Sequence, residues 1–188
     1  LRAVAARHGP VALVHIDAHT DLWDEYYGRK YSHGTTFRRA IEEGLIRPEV
    51  SIQVGMHGPV FGPEDYDLPR RFGLKIIPLA EIEAYGVEEA VRAIRRRVQG
   101  PVYLSFDIDV VDPAFAPGTG TPEAGGLTPR EVLRLVRGLV GLPFVGFDLV
   151  EVSPPYDQGD ITALLAANIA YEFICLAAIS KKLEPTEG

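Results

Sequence analysis

Five short apolar runs dominate the hydrophobic pattern of this chain, and a polar or glycine- and proline-rich segment follows each of them. The runs occupy residues 11–16, 50–56, 74–79, 102–108 and 144–150. Near-continuous apolar runs of this length are typical of strands that are buried on both faces of a parallel sheet. The pattern therefore predicts five strands in the interior of the molecule.

Helical patterns separate these runs. Helices are predicted at residues 1–8, 36–44 and 87–98, from residue 128 onward, and at 160–180. The helix from residue 128 opens with a capping box, in which Thr128 is followed three residues later by Glu131. Strands that alternate with helices predict an α/β fold with a mainly parallel sheet between two helical layers. We expect one three-layer α/β/α domain over residues 1–188, with a frayed tail at 181–188.

The charge balance limits the classes of partner. A net charge of −7 results from 19 Lys and Arg against 26 Asp and Glu residues. Binding to nucleic acid depends on Lys and Arg that neutralise phosphates, so nucleic acid is not expected as a partner. A small cationic substrate or divalent metal ions suit this charge better.

Cysteine content and hydropathy bear on the cellular compartment. The single cysteine, Cys175, excludes an internal disulfide and a thiolate metal cluster. We expect no membrane-spanning helix, because no unbroken apolar run approaches the required length of roughly 20 residues. We also recognise no secretory leader. We therefore expect a cytoplasmic protein without membrane contact. Because the chain starts at Leu1 within a predicted helix, we also expect its N-terminal part to be cut away.

Acidic residues and one histidine cluster where the predicted strands end. The first strand leads into Asp17-Ala18-His19-Thr20-Asp21, the fourth into Asp107-Ile108-Asp109, and the fifth into Glu151. Sites in open parallel sheets lie beyond the carboxyl ends of the strands. Four carboxylates and an imidazole in one cleft need compensating charge, and an oxygen-rich set with one histidine suits Mn²⁺ or a similar ion. Two ions that share one activated water are plausible with this many carboxylates.

Other interpretations of single residues stay open. Either acidic cluster alone could be a turn in which Asp caps backbone groups. His15 lies inside the first apolar run and is interpreted as a core histidine with satisfied hydrogen bonds. His57, which follows the second strand, lines a pocket or has no role in a site.

The motifs together resemble the ureohydrolases, the arginase and agmatinase family. The resemblance rests on five stretches that cover the chain from end to end: 17–21, Ser32-His33-Gly34-Thr35, 105–113, 116–126 and Glu151. Residues 31–40, YSHGTTFRRA, resemble the agmatinase and guanidinobutyrase branch more than true arginase. The loop before them, LWDEYYGRKY, lacks the Asn- and Ser-bearing segment of arginases.

The resemblance implies a binuclear Mn²⁺ enzyme that hydrolyses a guanidino compound to urea and an amine. Asp17 and Asp107 would bridge the ions, His19 and Asp109 would complete one, and Asp21 would bind the other. The shared hydroxide would attack the guanidinium carbon. The implied catalytic residues are Asp21 for proton transfer, His33 as a proton shuttle or substrate contact, and Glu151 as the partner of the guanidinium. Relatives commonly form trimers or hexamers, so a homo-oligomer is expected.

The chain departs from the family in one motif, and the substrate is open. A Gly-Gly-Asp-His-Ser motif, whose histidine completes the ion shared with Asp21, is absent together with the N-terminal strands. Agmatine is the expected substrate, with Asp24 and Glu25 suited to its distal amine. The alternatives are 4-guanidinobutyrate or 3-guanidinopropionate, whose carboxylate could meet a cation such as Arg29, Lys30 or His57. A metal-binding chain without catalytic activity is the remaining alternative.

Overall fold

The computed structural model describes the backbone of residues 1–183 and the side chains of residues 1–180. The frayed tail expected at 181–188 reaches outside these described residues. Five strands form one sheet in the order β3-β2-β1-β4-β5, and all pairings are parallel. The strands are β1 Ala12–Ile16, β2 Ile52–Met56, β3 Lys75–Pro78, β4 Val102–Asp107 and β5 Phe144–Val150. Each coincides with a predicted run, and the predicted α/β class is confirmed.

Seven helices cover the sheet in the described part of the chain. They are α1 Arg2–His8, α2 Thr36–Glu42, α3 Leu68–Arg71, α4 Leu79–Tyr85, α5 Val87–Arg97, α6 Pro129–Arg137 and α7 Ile161–Leu183. Side chains of β1 alternate between two cores, as the pleat of a strand requires. Val14 and Ile16 pack with α4 to α7 on one face, whereas Leu13, together with Val11 just before the strand, packs with α1 to α3 on the other. The three-layer arrangement follows from this alternation.

Two short helices, α3 and α4, were not predicted from the sequence. Helix α3 lies between the second and third apolar runs, and α4 begins at Leu79, which was assigned to the third strand. Two turns with buried Leu79 and Ile82 are too short to display a helical period. Gly86 follows the last residue of α4, and its φ of 86° lies in the left-handed region that favours glycine.

Helix α7 corrects the expectation about apolar length. Its segment Ile161–Ser180 has a mean hydropathy of 1.8 and is long and apolar enough to cross a membrane by length and composition. Glu172 interrupts this segment, so it is not an unbroken apolar run. In the fold, α7 packs on β5 and α6 through residues such as Ile169 and Phe173. One face of the helix is thus packed in the fold, whereas only 28% of this segment is buried.

The sheet topology determines where the polar strand ends meet. Strand β1 is central, and β4 pairs with it in the register Ile16↔Phe106. Asp17 directly follows β1, and Asp107 is the last residue of β4. Strand β5 pairs with β4 in the register Asp107↔Val150, which places Glu151 at the same edge. The residues singled out from the sequence therefore share one edge of the sheet.

Candidate metal centre

The two acidic clusters use backbone amides to fix their carboxylates. The amide of His19 donates to Asp17 Oδ1 at 2.5 Å, and the amide of Asp109 donates to Asp107 Oδ1 at 2.9 Å. The amide of Ala18 donates to Asp109 Oδ1 at 3.1 Å, so the two turns are also joined to each other. The capping role considered for each cluster alone is thus present. It orients carboxylates that face one another across β1 and β4.

The imidazole of His19 lies between the clusters. Its Nδ1 is 3.0 Å from Asp109 Oδ2 and 3.5 Å from Asp17 Oδ1. Potential ligand atoms of Asp17, His19 and Asp109 all lie within 4.8 Å of one another. A second group with the same spacing consists of His15, Asp17 and Asp21. Asp17 belongs to both groups, which suits a carboxylate that serves two ion positions.

Two acidic residues of the site have unusual backbone conformations. Asp21 has a φ of 53° and Glu151 a φ of 63°, in the left-handed region that few residues other than glycine adopt. The carbonyl of Asp21 accepts hydrogen bonds from the amides of Phe37 and Arg38 at the start of α2, which holds this conformation. Strained backbone of this kind concentrates at functional sites.

The electrostatics of the cluster reflect crowded carboxylates. Burial, together with the charges of Asp17 and Asp109, raises the pKa of Asp107 to about 11. Burial and the charge of Asp17 likewise raise the pKa of Asp21 well above its ordinary value. Burial also raises the pKa of Asp109, although its hydrogen bond with His19 acts in the opposite direction. These carboxyl groups are therefore held in the fold without enough positive charge to ionise all of them.

The pKa values of Asp17 and His19 shift towards the charged forms of these two residues. Burial opposes the charged form of Asp17, but its contact with His15 and the hydrogen bonds of His19 lower its pKa to about 2. Burial opposes protonation of His19, but its hydrogen bonds to Asp109 and Asp17 outweigh this and raise its pKa to about 11. A proton on His19 thus compensates part of the negative charge in the metal-free chain. Divalent ions can replace that proton, and an oxygen-rich set with one imidazole fits hard cations.

A cavity of about 820 Å³ opens over this edge of the sheet. It is lined by all residues predicted for the site, namely Asp17, His19, Asp21, His33, Asp107, Asp109 and Glu151. Aromatic side chains form another part of its wall. Trp23 and Tyr26 stack with ring centroids 5.3 Å apart, and His33 meets the edge of Tyr26 at 4.9 Å. The cavity is large enough for a small linear molecule whose polar end reaches the carboxylates.

The residues considered for the distal end of a substrate do not line this cavity. Asp24, Glu25, Arg29, Lys30 and His57 are absent from its wall. Asp24 instead accepts a hydrogen bond from Arg39 at 2.9 Å. The Nδ1 atom of His57 lies 2.7 Å from the carbonyl of Gly55, and the ring borders a separate cavity of about 80 Å³. Of the two interpretations of His57, the fold favours the one in which it lines a pocket, although not this one.

Several contacting residues were missed in the sequence. Glu123 places Oε1 3.3 Å from His19 Nε2, and Thr121 donates to Asp109 Oδ2 at 3.2 Å. Both lie in the stretch 116–126, which contributed to the resemblance but received no role. Gln53 contacts His15 from inside the second apolar run. A polar residue in a buried strand was a signal that could have identified it.

The comparisons with known proteins agree with this geometry. A family model described as the arginase family matches residues 1–176. The chain belongs to the arginase family. The predicted relationship is thereby confirmed, and the site described above occupies the matched part of the chain.

Individual relatives cover the chain almost completely. A guanidinopropionase from Pseudomonas aeruginosa is 52% identical over 93% of this chain and 55% of its own length. A mitochondrial agmatinase from Gallus gallus is 48% identical over 94% of this chain and 52% of its own length. The chain therefore spans about half the length of the curated relatives it matches.

A solved structure in the arginase family supports the fold. The proclavaminate amidino hydrolase from Streptomyces clavuligerus matches with a TM-score of 0.91 and 49% identity. The match covers 95% of this chain and 60% of that chain. Arginase-family members with differently named substrates are thus about equally similar to this chain, so similarity alone does not select a substrate.

Proposed function

We propose that this chain carries catalytic residues of a Mn²⁺-dependent hydrolase that converts a guanidino compound to urea and an amine. The observation that carries the proposal is the group of buried carboxylates and one imidazole at the ends of β1 and β4, which opens into a cavity that also contains Glu151. Membership of the arginase family supports this chemistry.

The donor set fits two divalent ions. Asp17, His19, Asp107 and Asp109 would hold one ion, and Asp17, Asp107 and Asp21 would contribute to the other. Bound ions of this kind supply an activated water at neutral pH and stabilise developing negative charge. The raised pKa values of Asp21, Asp107 and Asp109 indicate how strongly the fold favours added positive charge here.

The residues of the chain would bind the substrate and move its protons. Glu151 would pair with the guanidinium group, and a bidentate ion pair of this type fixes the orientation of the planar group. Asp21, whose pKa is raised, would carry a proton towards the departing amine. His33 is exposed at the edge of Tyr26 and would exchange that proton with solvent or contact the substrate.

Agmatine is the substrate that we propose first. Among the described residues, the arginines that line the cavity are Arg2 and Arg39. Arg2 is paired with Glu43 at 2.6 Å, and Arg39 with Asp24 at 2.9 Å. Both arginines have carboxylate partners, which disfavours a substrate with a distal carboxylate, but Asp24 and Glu25 do not line the cavity and so give agmatine's distal amine no partner there. The similarity to guanidinopropionase makes an ω-guanidino acid the second candidate.

A substrate panel tests the reaction and its specificity together. The chain is loaded with Mn²⁺, and urea release is measured with agmatine, 4-guanidinobutyrate, 3-guanidinopropionate and arginine. We expect activity that is lost on chelation and that is highest with agmatine. In the Glu151→Gln variant, kcat/KM should fall on the order of 100-fold or more, since a charged hydrogen-bond partner is lost. Higher activity with either guanidino acid would overturn the choice of agmatine.

Metal binding without catalysis is the second candidate function. It is motivated by the carboxylate and imidazole groups, which could hold an ion without turning over a substrate. Titration with Mn²⁺ distinguishes the two candidates. One tight ion without urea release from any substrate of the panel would favour metal binding alone, whereas two ions with urea release would favour the hydrolase.

A cytoplasmic homo-oligomer, trimeric or hexameric, is also proposed. Apolar side chains on α7 support self-association, because Leu164, Tyr171 and Ile174 are exposed in the single chain. Light scattering coupled to size-exclusion chromatography measures the mass of the assembly. A strictly monomeric mass at micromolar concentration would overturn this part of the proposal.

A further inference from the structure

His15 makes two hydrogen-bonding contacts in the interior of the sheet. The residue is 1% exposed, and its ring packs on Phe37 with centroids 4.1 Å apart. Its Nε2 lies 2.6 Å from Asp17 Oδ2, and its Nδ1 lies 3.0 Å from Gln53 Nε2. The interpretation as a core histidine with satisfied hydrogen bonds is therefore correct. One of its partners, however, is a carboxylate at the centre of the site.

Gln53 is positioned to contact His15 by the strand pairing. The two residues are partners in the parallel register of β1 and β2, and Gln53 is fully buried. Its Nε2 also lies 2.6 Å from the carbonyl oxygen of Thr20. The amide group has two N–H donors on this nitrogen, so one can serve the carbonyl and the other the imidazole.

The orientation of the Gln53 amide follows from this network. Turning the amide over would set its oxygen against the carbonyl oxygen of Thr20, where neither atom can donate. In the observed orientation, Oε1 is buried without a partner, so the contacts of the nitrogen determine which way the amide faces. A buried unpaired oxygen is costly. The amide is held in this orientation nonetheless, which makes Gln53 a fixed donor.

A fixed donor at Nδ1 determines the tautomer of His15. If Gln53 donates to Nδ1, that nitrogen must be an acceptor, and the neutral ring carries its proton on Nε2. Nε2–H then donates to Asp17 Oδ2. His15 lies within 4.8 Å of ligand atoms of Asp17 and Asp21 and could be taken for a metal ligand itself. A protonated Nε2 has no lone pair for a metal, so this tautomer excludes that role.

From this geometry we infer that His15 is a positioning residue that orients Asp17 for metal binding, and that Gln53 selects the required tautomer of His15. The inference rests on the metal centre proposed above. The hydrogen bond occupies one lone pair of Asp17 Oδ2, and the amide of His19 holds Oδ1. The carboxylate cannot rotate without breaking both contacts. Its remaining lone pairs are therefore aimed at the ion positions in advance.

Two substitutions separate positioning from packing. His15→Phe keeps an aromatic ring in contact with Phe37 but removes the donor. His15→Gln removes the ring but offers an amide N–H in the direction of Nε2. Mn²⁺ affinity is measured for the full chain by titration calorimetry. The free energy of unfolding is measured separately by urea denaturation in the presence of a chelator.

We expect His15→Phe to weaken Mn²⁺ binding about 10- to 100-fold, the usual effect of losing a contact to a metal ligand. His15→Gln should recover much of this affinity even if it unfolds more easily. A purely structural role predicts the reverse, with affinity following stability. Equal affinity of His15→Phe and the unmodified chain would overturn the inference, as would failure of His15→Gln to bind better than His15→Phe.

The tautomer provides a readout that needs no metal. Long-range ¹H–¹⁵N NMR spectra of the metal-free chain distinguish a protonated Nε2 from a protonated Nδ1, and His15→Phe identifies the signals. We expect Nε2–H in the unmodified chain and a proton on Nδ1 in Gln53→Glu, where a carboxylate replaces the donor. A protonated Nδ1 in the unmodified chain would overturn the inference. If the unmodified chain shows this tautomer but binds no Mn²⁺, the proposed metal centre fails, and the role of Gln53 in selecting the tautomer stands.

Discussion

The Nε2 atom of His19 lies 3.3 Å from Oε1 of Glu123, on the side of the ring opposite to the carboxylate cluster. The Nδ1 atom of the same ring faces Asp109 and Asp17. A histidine that binds a metal commonly donates its other N–H to a carboxylate, which fixes the tautomer and the orientation of the ring. Glu123 occupies that position for His19, although the two residues belong to distant parts of the sequence.

Substitution of Glu123 should therefore weaken metal binding without removing a ligand. We expect Glu123→Ala to lower Mn²⁺ affinity about 10-fold or more and Glu123→Gln to lower it less, since the amide oxygen can still accept. Titration calorimetry measures both affinities. Glu83→Gln, on the exposed side of α4, is the matched control and should bind Mn²⁺ normally. Unchanged affinity in Glu123→Ala would show that the contact does not orient His19.

A substitution at Gly58 would test the position of the His19 ring, because an added side chain would clash with it. A Cβ atom added at Gly58 would lie 2.6 Å from both Cδ2 and Nε2 of His19. Since the backbone there does not require glycine, Gly58→Ala should push the ring away and weaken Mn²⁺ binding by at least about 10-fold. Gly120→Ala is the control, because the nearest atom to its new Cβ is Glu151 Oε2 at 3.8 Å. Equal weakening in both variants would mean that the ring of His19 is not the sensitive element.

Much of the fold and the centre of the site could be predicted from the sequence for a simple reason. Parallel strands end at one edge of a sheet, so Asp17 and Asp107 had to be close if β1 and β4 were neighbours. The five apolar runs were long enough to identify the strands, with boundaries that differ from the structure by at most two residues. Glu151 followed from the same rule because β5 pairs with β4.

The contacts around that centre could not be predicted, because they depend on register and loop conformation. The pairing of His15 with Gln53 requires the register of β1 and β2, which the apolar pattern alone does not specify. Glu123 lies in a loop without periodicity, so nothing in the sequence pointed its side chain at His19. The aromatic wall of the cavity could not be predicted either, because Trp23 and Tyr26 belong to an irregular loop.

Asp107 should show a conflict between stability and function. Its pKa of about 11 means that the metal-free fold pays free energy to bury this carboxyl group beside Asp17 and Asp109. We expect Asp107→Asn to raise the free energy of unfolding of the metal-free chain by about 1–3 kcal/mol near neutral pH. The same variant should bind Mn²⁺ far more weakly. Urea denaturation with a chelator and calorimetry measure the two effects, and a less stable metal-free variant would contradict the prediction.

The pKa shifts also predict how the metal-free chain responds to pH. Asp107 has a folded pKa of about 11 against an ordinary value of 3.8, and His19 about 11 against 6.5. In both cases the folded state keeps a proton that the unfolded state loses. The contribution of protonated His19 to the free energy of unfolding is therefore fully present below about pH 6.5, and it is lost as the pH rises through 11. The raised pKa of Asp107 likewise lowers the free energy of unfolding as the pH rises above about 4.

Between about pH 7 and 9, the free energy of unfolding of the metal-free chain should thus fall, by at most about 1.4 kcal/mol per pH unit for each retained proton. Mn²⁺ must displace these protons, so its affinity should rise over the same range. Calorimetry in two buffers of different ionisation enthalpy measures the protons released. Asp107→Asn should release fewer protons per ion than the unmodified chain. Binding without proton release would mean that the carboxylates are already ionised in the metal-free fold, and that their crowding is relieved by movement of the side chains.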